Sequence, residues 1–106
     1  MLQQIIENTG IESALLFDAN SNVIDSYNMD TPKRIAAMSN TIFEMCKGLT
    51  EDLKENNLNQ IIIKGEALLI IGNKINNDKY LVSITKDITK LGLLLKVVDN
   101  LSNELI

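Results

Sequence analysis

The chain has 106 residues, of which 45% are apolar and 23% are charged, and its formal net charge is −4. This length and composition are typical of a soluble globular protein, and we expect one domain over residues 1–106. The acidic balance disfavours binding to nucleic acid and to anionic membrane surfaces, because both attract basic patches.

Reactive side chains are scarce. The chain has no histidine and a single cysteine, Cys46, which excludes a cysteine–histidine zinc site and a histidine-based catalytic triad. Cys46 lies on the apolar side of a predicted helix, so we interpret it as a small buried residue in a reducing compartment. The start of the chain lacks a signal-peptide pattern, and its longest apolar run, 67–71, is too short to span a bilayer. We expect a cytoplasmic protein that holds no metal or cofactor.

The first part of the chain predicts a short helix and a hairpin. Residues 2–8 have apolar residues at helical spacing and are followed by Gly10, a common helix terminator. Residues 11–18 and 23–27 are strand-like, and the Asn and Ser residues between them favour a turn.

The longest helical pattern begins at Thr31, a good N-cap, followed by Pro32 at the first helical position. The polar residues 55–57 predict its end. Its apolar residues recur at helical spacing and predict a stripe that covers a sheet. This stripe consists of Ile35, Met38, Ile42, Met45, Cys46, Leu49 and Leu53.

Three strands are predicted next, at residues 59–64, 67–72 and 79–85. The short turns between them predict an antiparallel meander, and Gly65–Glu66 is a candidate two-residue hairpin turn. The run 67–72 is apolar except at its last position, which predicts that helices cover both faces of the sheet.

A final helix is predicted over residues 89–104. Leu93 and Val97 widen its apolar stripe, which predicts burial over a broad arc. Gly92 inside the helix costs roughly 1 kcal/mol against alanine, and we interpret it as a site of close packing on the sheet. The complete order, α-β-β-α-β-β-β-α, predicts an α/β (α+β) fold. We expect a five-stranded antiparallel sheet with the long helix on one face and the terminal helices on the other.

One side of the long helix is a candidate functional surface. Ala36 and Ser39 are small and lie beside the large Phe43, which suits close approach by another helix. The pattern equally allows Phe43 to fold over the edge of the sheet. The strand at 59–64 contains three consecutive isoleucines, and proteins usually protect or use such an edge when it is unpaired. Self-pairing across a two-fold axis would cover the strand and the helix together.

Other functions would rest on few residues. Asp18 and Asp25 flank the first turn and would be the carboxylate pair of an enzyme, but Asp beside a turn is common for local reasons. Ser83 and Tyr27 are the candidate polar groups of a ligand pocket. No phosphate-binding glycine motif or nucleophile elbow occurs, so we expect no enzymatic activity. A profilin-like or PAS-like module that senses a small ligand is the alternative to an interaction protein.

Three segments, in order, carry a family resemblance: GIESALLFDANSNVIDS at 10–26, IIIKGEALLIIG at 61–72 and ITKDITKLGLLLKVVDNL at 84–101. They resemble the opening strand–turn–strand, the later hairpin and the closing helix of the Roadblock / dynein light-chain-seven family, which has a profilin-like fold. The chain departs from the family pattern at Ser13 and at Ser21 or Asn22, where glycine is usual. It resembles the stand-alone prokaryotic type.

The resemblance implies a non-enzymatic dimeric scaffold or regulator that binds a small Ras-like GTPase. A bacterial relative in gliding motility accelerates GTP hydrolysis by its partner, and eukaryotic relatives scaffold lysosomal GTPases or attach cargo to dynein. The resemblance also implies homodimers or heterodimers in which the long helices pair and the third strands form a continuous sheet. The implied dimer surface comprises Ala36, Ser39, Ile42, Phe43, Thr50, Asn59, Gln60, Ile61, Ile62, Ile63 and Lys64.

Overall fold

A computed structural model describes residues 2–106 as a five-stranded antiparallel sheet with helices on both faces. The elements are α1 (Leu2–Ile6), β1 (Ser13–Asp18), β2 (Val23–Tyr27), α2 (Pro32–Asp52), β3 (Gln60–Lys64), β4 (Leu69–Lys74), β5 (Lys79–Thr85) and α3 (Leu91–Leu105), with a 3-10 turn at Ile88–Lys90. The strands lie in the order β2-β1-β5-β4-β3. The predicted fold class, element order and meander are therefore confirmed.

The long helix starts as predicted and ends earlier. Pro32 begins it, while Thr31 occupies the N-cap position without a side-chain hydrogen bond. The helix ends at Asp52 because Lys54 adopts a left-handed φ of 72°, which turns the chain out of the helix.

The loop between β3 and β4 differs from the predicted two-residue turn. The backbone N–H of Gly65 donates to the carbonyl of Leu68 at 2.7 Å, and Lys64 pairs with Leu69. The loop therefore contains residues 65–68. This is why β4 begins two residues later than its apolar run.

The sheet separates two cores, as the apolar run 67–72 predicted. The core under α1 and α3 contains Leu2, Ile6, Ile11, Ala14, Leu16, Leu69, Ile71, Ile75, Leu81, Leu94, Val98, Leu101 and Leu105. The smaller core under α2 contains Leu15, Phe17, Ala36, Phe43, Tyr80 and Val82.

The predicted assignment of the two sides of α2 was wrong. Ala36, Ser39 and Phe43, which were expected to face a second copy, are buried against the sheet. Most of the stripe expected to cover the sheet is exposed instead. The small side chains of Ala36 and Ser39 let the helix backbone approach the sheet closely, and the ring of Phe43 lies 4.7 Å from that of Tyr80. The apolar arc of α2 is therefore wider than the part of the helix surface that the sheet covers.

The last helix also corrects two expectations. Its buried residues are Leu94, Val98, Leu101 and Leu105, but Leu93 is 60% exposed, so the buried arc is narrower than predicted. A Cβ built on Gly92 meets no atom of the described residues within 4 Å. Gly92 is therefore not a site of close packing on the sheet.

Candidate self-association surface

An apolar stripe runs along the solvent side of α2. Met45 is 71% exposed, and Met38, Leu49 and Leu53 are exposed by more than half. These four residues, which we call the α2 stripe, recur at the spacing that places side chains on one helix face. The stripe adjoins the half-buried side chain of Ile42. It therefore continues into the sheet-facing side of the helix without a polar break.

A groove of ≈ 130 Å³ opens between α2 and the β3 side of the sheet. Its walls are almost wholly aliphatic: Ile35, Met38, Ser39, Ile42, Ile61, Ile63, Ile70, Gly72, Val82 and Ile84. Met38 belongs to both the groove and the α2 stripe. Helix and sheet together thus present one continuous apolar surface that a single chain does not cover.

β3 borders this groove and forms one edge of the sheet. Within residues 2–106 it pairs with β4 alone, which confirms the sequence-based expectation of an edge strand. Ile62 and Ile63 are 45% and 40% exposed. Edge strands of this composition attract a further strand unless something blocks them.

The implied dimer residues divide into three groups. Ala36, Ser39 and Phe43 lie in the core under α2, so they support the surface from beneath instead of forming it. Ile42 and Thr50 are half-buried beside the α2 stripe. The third group, Asn59, Gln60, Ile61, Ile62, Ile63 and Lys64, lies on or beside the edge strand.

The sequence pattern assigned all four residues of the α2 stripe to the core, whereas the structure places them on the surface. The sequence nevertheless contains a signal of this exposed surface, namely the width of its apolar arc. The buried and exposed apolar positions together cover about half of the helix circumference at 100° per residue, which exceeds the stripe of a helix packed on one sheet.

Asp18 is a structural residue of the first turn. Its carboxylate accepts hydrogen bonds from the backbone N–H groups of Asn20 and Asn22, both at 2.9 Å. The bond from the Asn22 backbone is the main cause that lowers the pKa of Asp18. These bonds support Ser21, whose φ of 67° lies in the left-handed region that favours glycine.

Asp25 has a different set of neighbours. It accepts hydrogen bonds from the backbone N–H groups of Leu2, at 2.8 Å, and Ser26, at 2.9 Å. The bond from Leu2 is the main cause that lowers the pKa of Asp25. Both shifts stabilise the charged form, whereas a general acid needs a raised pKa. These hydrogen bonds therefore give no support to a general-acid role for Asp18 or Asp25.

Ser83 and Tyr27 both pack on the α1 and α3 side of the sheet. Ser83 is 4% exposed, and its hydroxyl has no hydrogen-bond partner within residues 2–106. Its neighbours across the sheet are Ala14 and Ile71. One hydroxyl among aliphatic side chains does not provide the converging polar groups of a ligand site.

Residues 2–106 contain no group of three or more His, Cys, Asp or Glu side chains that could hold a metal ion. None of the helices in this range has the length and apolar character needed to cross a membrane. Cys46 is a free thiol and is half-buried, not fully buried as predicted.

Comparison with known proteins agrees with this architecture. MglB from Myxococcus xanthus superposes with a TM-score of 0.86 at 23% identity, over 96% of this chain and 85% of that chain. An MglB with a tetrameric arrangement superposes with a TM-score of 0.88 at 17% identity, over 98% of this chain and 81% of that chain. A Roadblock/LC7 domain from Streptomyces avermitilis superposes with a TM-score of 0.76 at 14% identity, over 97% of this chain and 92% of that chain. These similarities establish the fold.

The family is established by sequence. A comparison with curated proteins gives no significant match, but the sequence model of the Roadblock/LC7 domain matches residues 1–85. This match covers most of the chain and includes α2 and all five strands. The chain therefore belongs to the Roadblock/LC7 domain family.

Proposed function

We propose that this protein is a homodimeric, non-enzymatic scaffold that regulates a small Ras-like GTPase. Family membership supports the proposal, because the resemblance implies both self-association and GTPase regulation. The observation that carries it is the α2 stripe beside the aliphatic groove, since monomeric proteins rarely expose a large contiguous apolar surface.

A second copy of the same chain fits this surface. A two-fold axis would bring the α2 stripe of one copy against the α2 stripe of the other, so that one patch covers itself. Met38 and Met45 have flexible side chains that adapt to a facing helix. The GTPase would then dock on a surface formed by the pair.

Light scattering coupled to gel filtration tests the self-association. We expect a dimer at micromolar concentration for the unmodified protein. Leu49→Asp places a carboxylate in the α2 stripe and should weaken the dimer at least about tenfold, because a buried unpaired charge is costly. The matched control is Ala37→Asp, which adds the same group at another exposed position of α2 and should leave the dimer intact.

A second experiment tests the GTPase partner. The immobilised protein is incubated with an extract of its native cells, supplemented with GDP or a non-hydrolysable GTP analogue. We expect a Ras-like GTPase to be retained by the unmodified protein and by Ala37→Asp, and to be lost with Leu49→Asp. GTP hydrolysis by the purified GTPase is then measured with and without the scaffold. Equal retention by both variants would contradict docking on the pair.

A further inference from the structure

A polar cleft of ≈ 320 Å³ lies between the end of the sheet and α3. The side chains that line it are four carboxamides, one hydroxyl, one carboxylate and one lysine, so each carries a charged or hydrogen-bonding group. Its volume is at the lower end of the range for small-molecule sites, in which a few converging polar groups fix the ligand. The cleft therefore offers the converging groups that Ser83 and Tyr27 do not provide.

A directed chain of hydrogen bonds runs along the wall of this cleft. The Ser102 hydroxyl donates to the carbonyl of Val98 at 2.8 Å, so its oxygen is left to accept from Nδ2 of Asn73, at 3.1 Å. Oδ1 of Asn73 in turn accepts from Nε2 of Gln60 at 3.3 Å. The chain therefore fixes the orientation of both amides. Within residues 2–106 it leaves Oε1 of Gln60 as an acceptor without a donor.

Asn73 is buried at a position where an aliphatic residue would continue the core. Leu69 and Ile71 precede it on the same face of β4, because the side-chain period of a strand is two, and both belong to the core under α3. Burial of an amide carries a desolvation cost, which its hydrogen bonds do little more than offset. Packing alone therefore does not explain an amide at position 73, whereas a role in holding the wall of the cleft does.

Two opposite charges border the cleft without pairing. Asp99 is exposed on α3, and Lys74 is the last residue of β4. Lys74 also lines a small pocket beside α2, so its flexible stem lies at the end of the sheet, within reach of both faces. Within residues 2–106 neither side chain forms a salt bridge, with the other or with a third residue. A bound molecule that carries both charges would bridge the gap between them.

We propose that this cleft binds a free α-amino acid with a polar side chain. The ammonium group of the ligand donates to the Asp99 carboxylate, and its carboxylate accepts from the Lys74 ammonium. The side chain of the ligand bonds to the amides of the wall, where Oε1 of Gln60 is the fixed acceptor. This site is independent of self-association and of GTPase regulation, and it would give the scaffold a small-molecule ligand of its own.

The lining residues disfavour other classes of ligand. A phosphate group would meet the Asp99 carboxylate, and a nucleobase usually stacks on an aromatic side chain, whereas none of the described residues that line the cleft is aromatic. An apolar molecule would leave the amides without partners. A polyol would satisfy the amides but neither charge, so it is the competing ligand that the experiment has to include.

Titration with each standard L-amino acid, and with sorbitol as the neutral polyol, tests the site. Shifts of the backbone amide resonances in NMR spectra measure the affinity up to low millimolar concentrations. We expect at least one amino acid to bind, polar side chains to be preferred over aliphatic ones of similar size, and sorbitol not to bind. Absence of binding by every amino acid, tighter binding of sorbitol, or a preference for aliphatic side chains would overturn the proposal.

Asp99→Asn locates the ligand in the cleft. The change keeps the shape of an exposed side chain and removes its charge, so the fold should be retained. Binding should weaken about tenfold, the effect of losing one charged hydrogen bond. Glu104→Gln is the matched control, because it removes a carboxylate from another exposed position of α3 outside the cleft. Equal affinities of these two variants would place the ligand elsewhere and overturn the proposal.

Two analogues of the tightest-binding amino acid test the contact at each end. Its N-acetyl derivative lacks the ammonium group and its carboxamide lacks the carboxylate, so each should bind the unmodified protein about tenfold more weakly. The first loss should shrink in Asp99→Asn and the second in Lys74→Met, because a contact that is already absent cannot be lost again. Lys96→Met, at an exposed position of α3 outside the cleft, should show both losses in full. Undiminished losses in Asp99→Asn and Lys74→Met would overturn the assigned contacts.

Discussion

Phe43 lies so close to Gly72 that position 72 has no room for a side chain. A Cβ built on Gly72 would stand 2.9 Å from each of two ring carbons of Phe43, and 2.8 Å from Cγ1 of Ile61. Glycine in the middle of β4 therefore determines how closely α2 packs on the sheet. Because the groove and the α2 stripe lie beside this contact, it also sets the shape of the candidate surface.

Gly72→Ala should destabilise the fold. The added methyl group forces the Phe43 ring and the Ile61 side chain to move within a packed core, which typically costs about 1–3 kcal/mol. The free energy of unfolding in urea measures the effect. Gly65→Ala is the matched control, because its Cβ would make only an ordinary contact, 3.5 Å from the Leu68 carbonyl. Equal stability of the two variants would mean that the Phe43 contact is not tight.

Gly92→Ala should have the opposite effect. Gly92 lies in α3, and its Cβ would point into open space. Alanine in a helix is favoured over glycine by roughly 0.5–1 kcal/mol, because glycine loses more backbone freedom on folding. Thermal unfolding should show a higher Tm than the unmodified protein. A lower Tm would indicate that the helix backbone packs against something at this point.

Ser102→Ala should expose the cost of an unsatisfied buried amide. The Ser102 hydroxyl accepts from Nδ2 of Asn73, which is 5% exposed, and donates to the carbonyl of Val98 at 2.8 Å. Removing it should destabilise the fold by about 1–3 kcal/mol. Ser102→Thr, which keeps a hydroxyl, is the control in urea unfolding. If both variants unfold like the unmodified protein, the Asn73 bond contributes nothing measurable.

The strands and their order along the chain could be predicted because alternation, turn residues and the apolar run in β4 all indicate an antiparallel sheet. The orientation of α2 could not be predicted from the sequence. Its sequence carries apolar residues around about half of the helix, and periodicity alone does not say which part packs inside the chain. Contacts between residues that are distant in sequence determine the orientation of α2, because Phe43 packs against Gly72 and Tyr80.

The burial of Phe43 decides what its substitution would do. If Phe43 lay on a dimer surface, Phe43→Asp would yield folded monomers. Phe43 is 2% exposed, so the same change would bury a carboxylate in the core and should unfold the chain. Variants in the α2 stripe, such as Leu49→Asp, are therefore the appropriate test of self-association.

Asp25 should make the attachment of α1 sensitive to acid. The N–H of Leu2, at the start of α1, donates to the Asp25 carboxylate at 2.8 Å, and this bond is the main cause that holds the pKa of Asp25 below its usual value of 3.8. A pKa that is lower in the folded state stabilises the fold above the unfolded-state pKa. This stabilisation is lost as the pH falls through the folded-state value.

The free energy of unfolding should therefore fall as the pH is lowered through and below 3.8, and part of that fall should be absent in Asp25→Asn, whose side chain keeps an oxygen acceptor but no charge. Asp30→Asn, at an exposed position before α2, is the control and should retain the full dependence. Urea unfolding at several pH values measures all three proteins. Parallel curves for the unmodified protein and Asp25→Asn would show that the α1 anchor does not depend on the charge of Asp25.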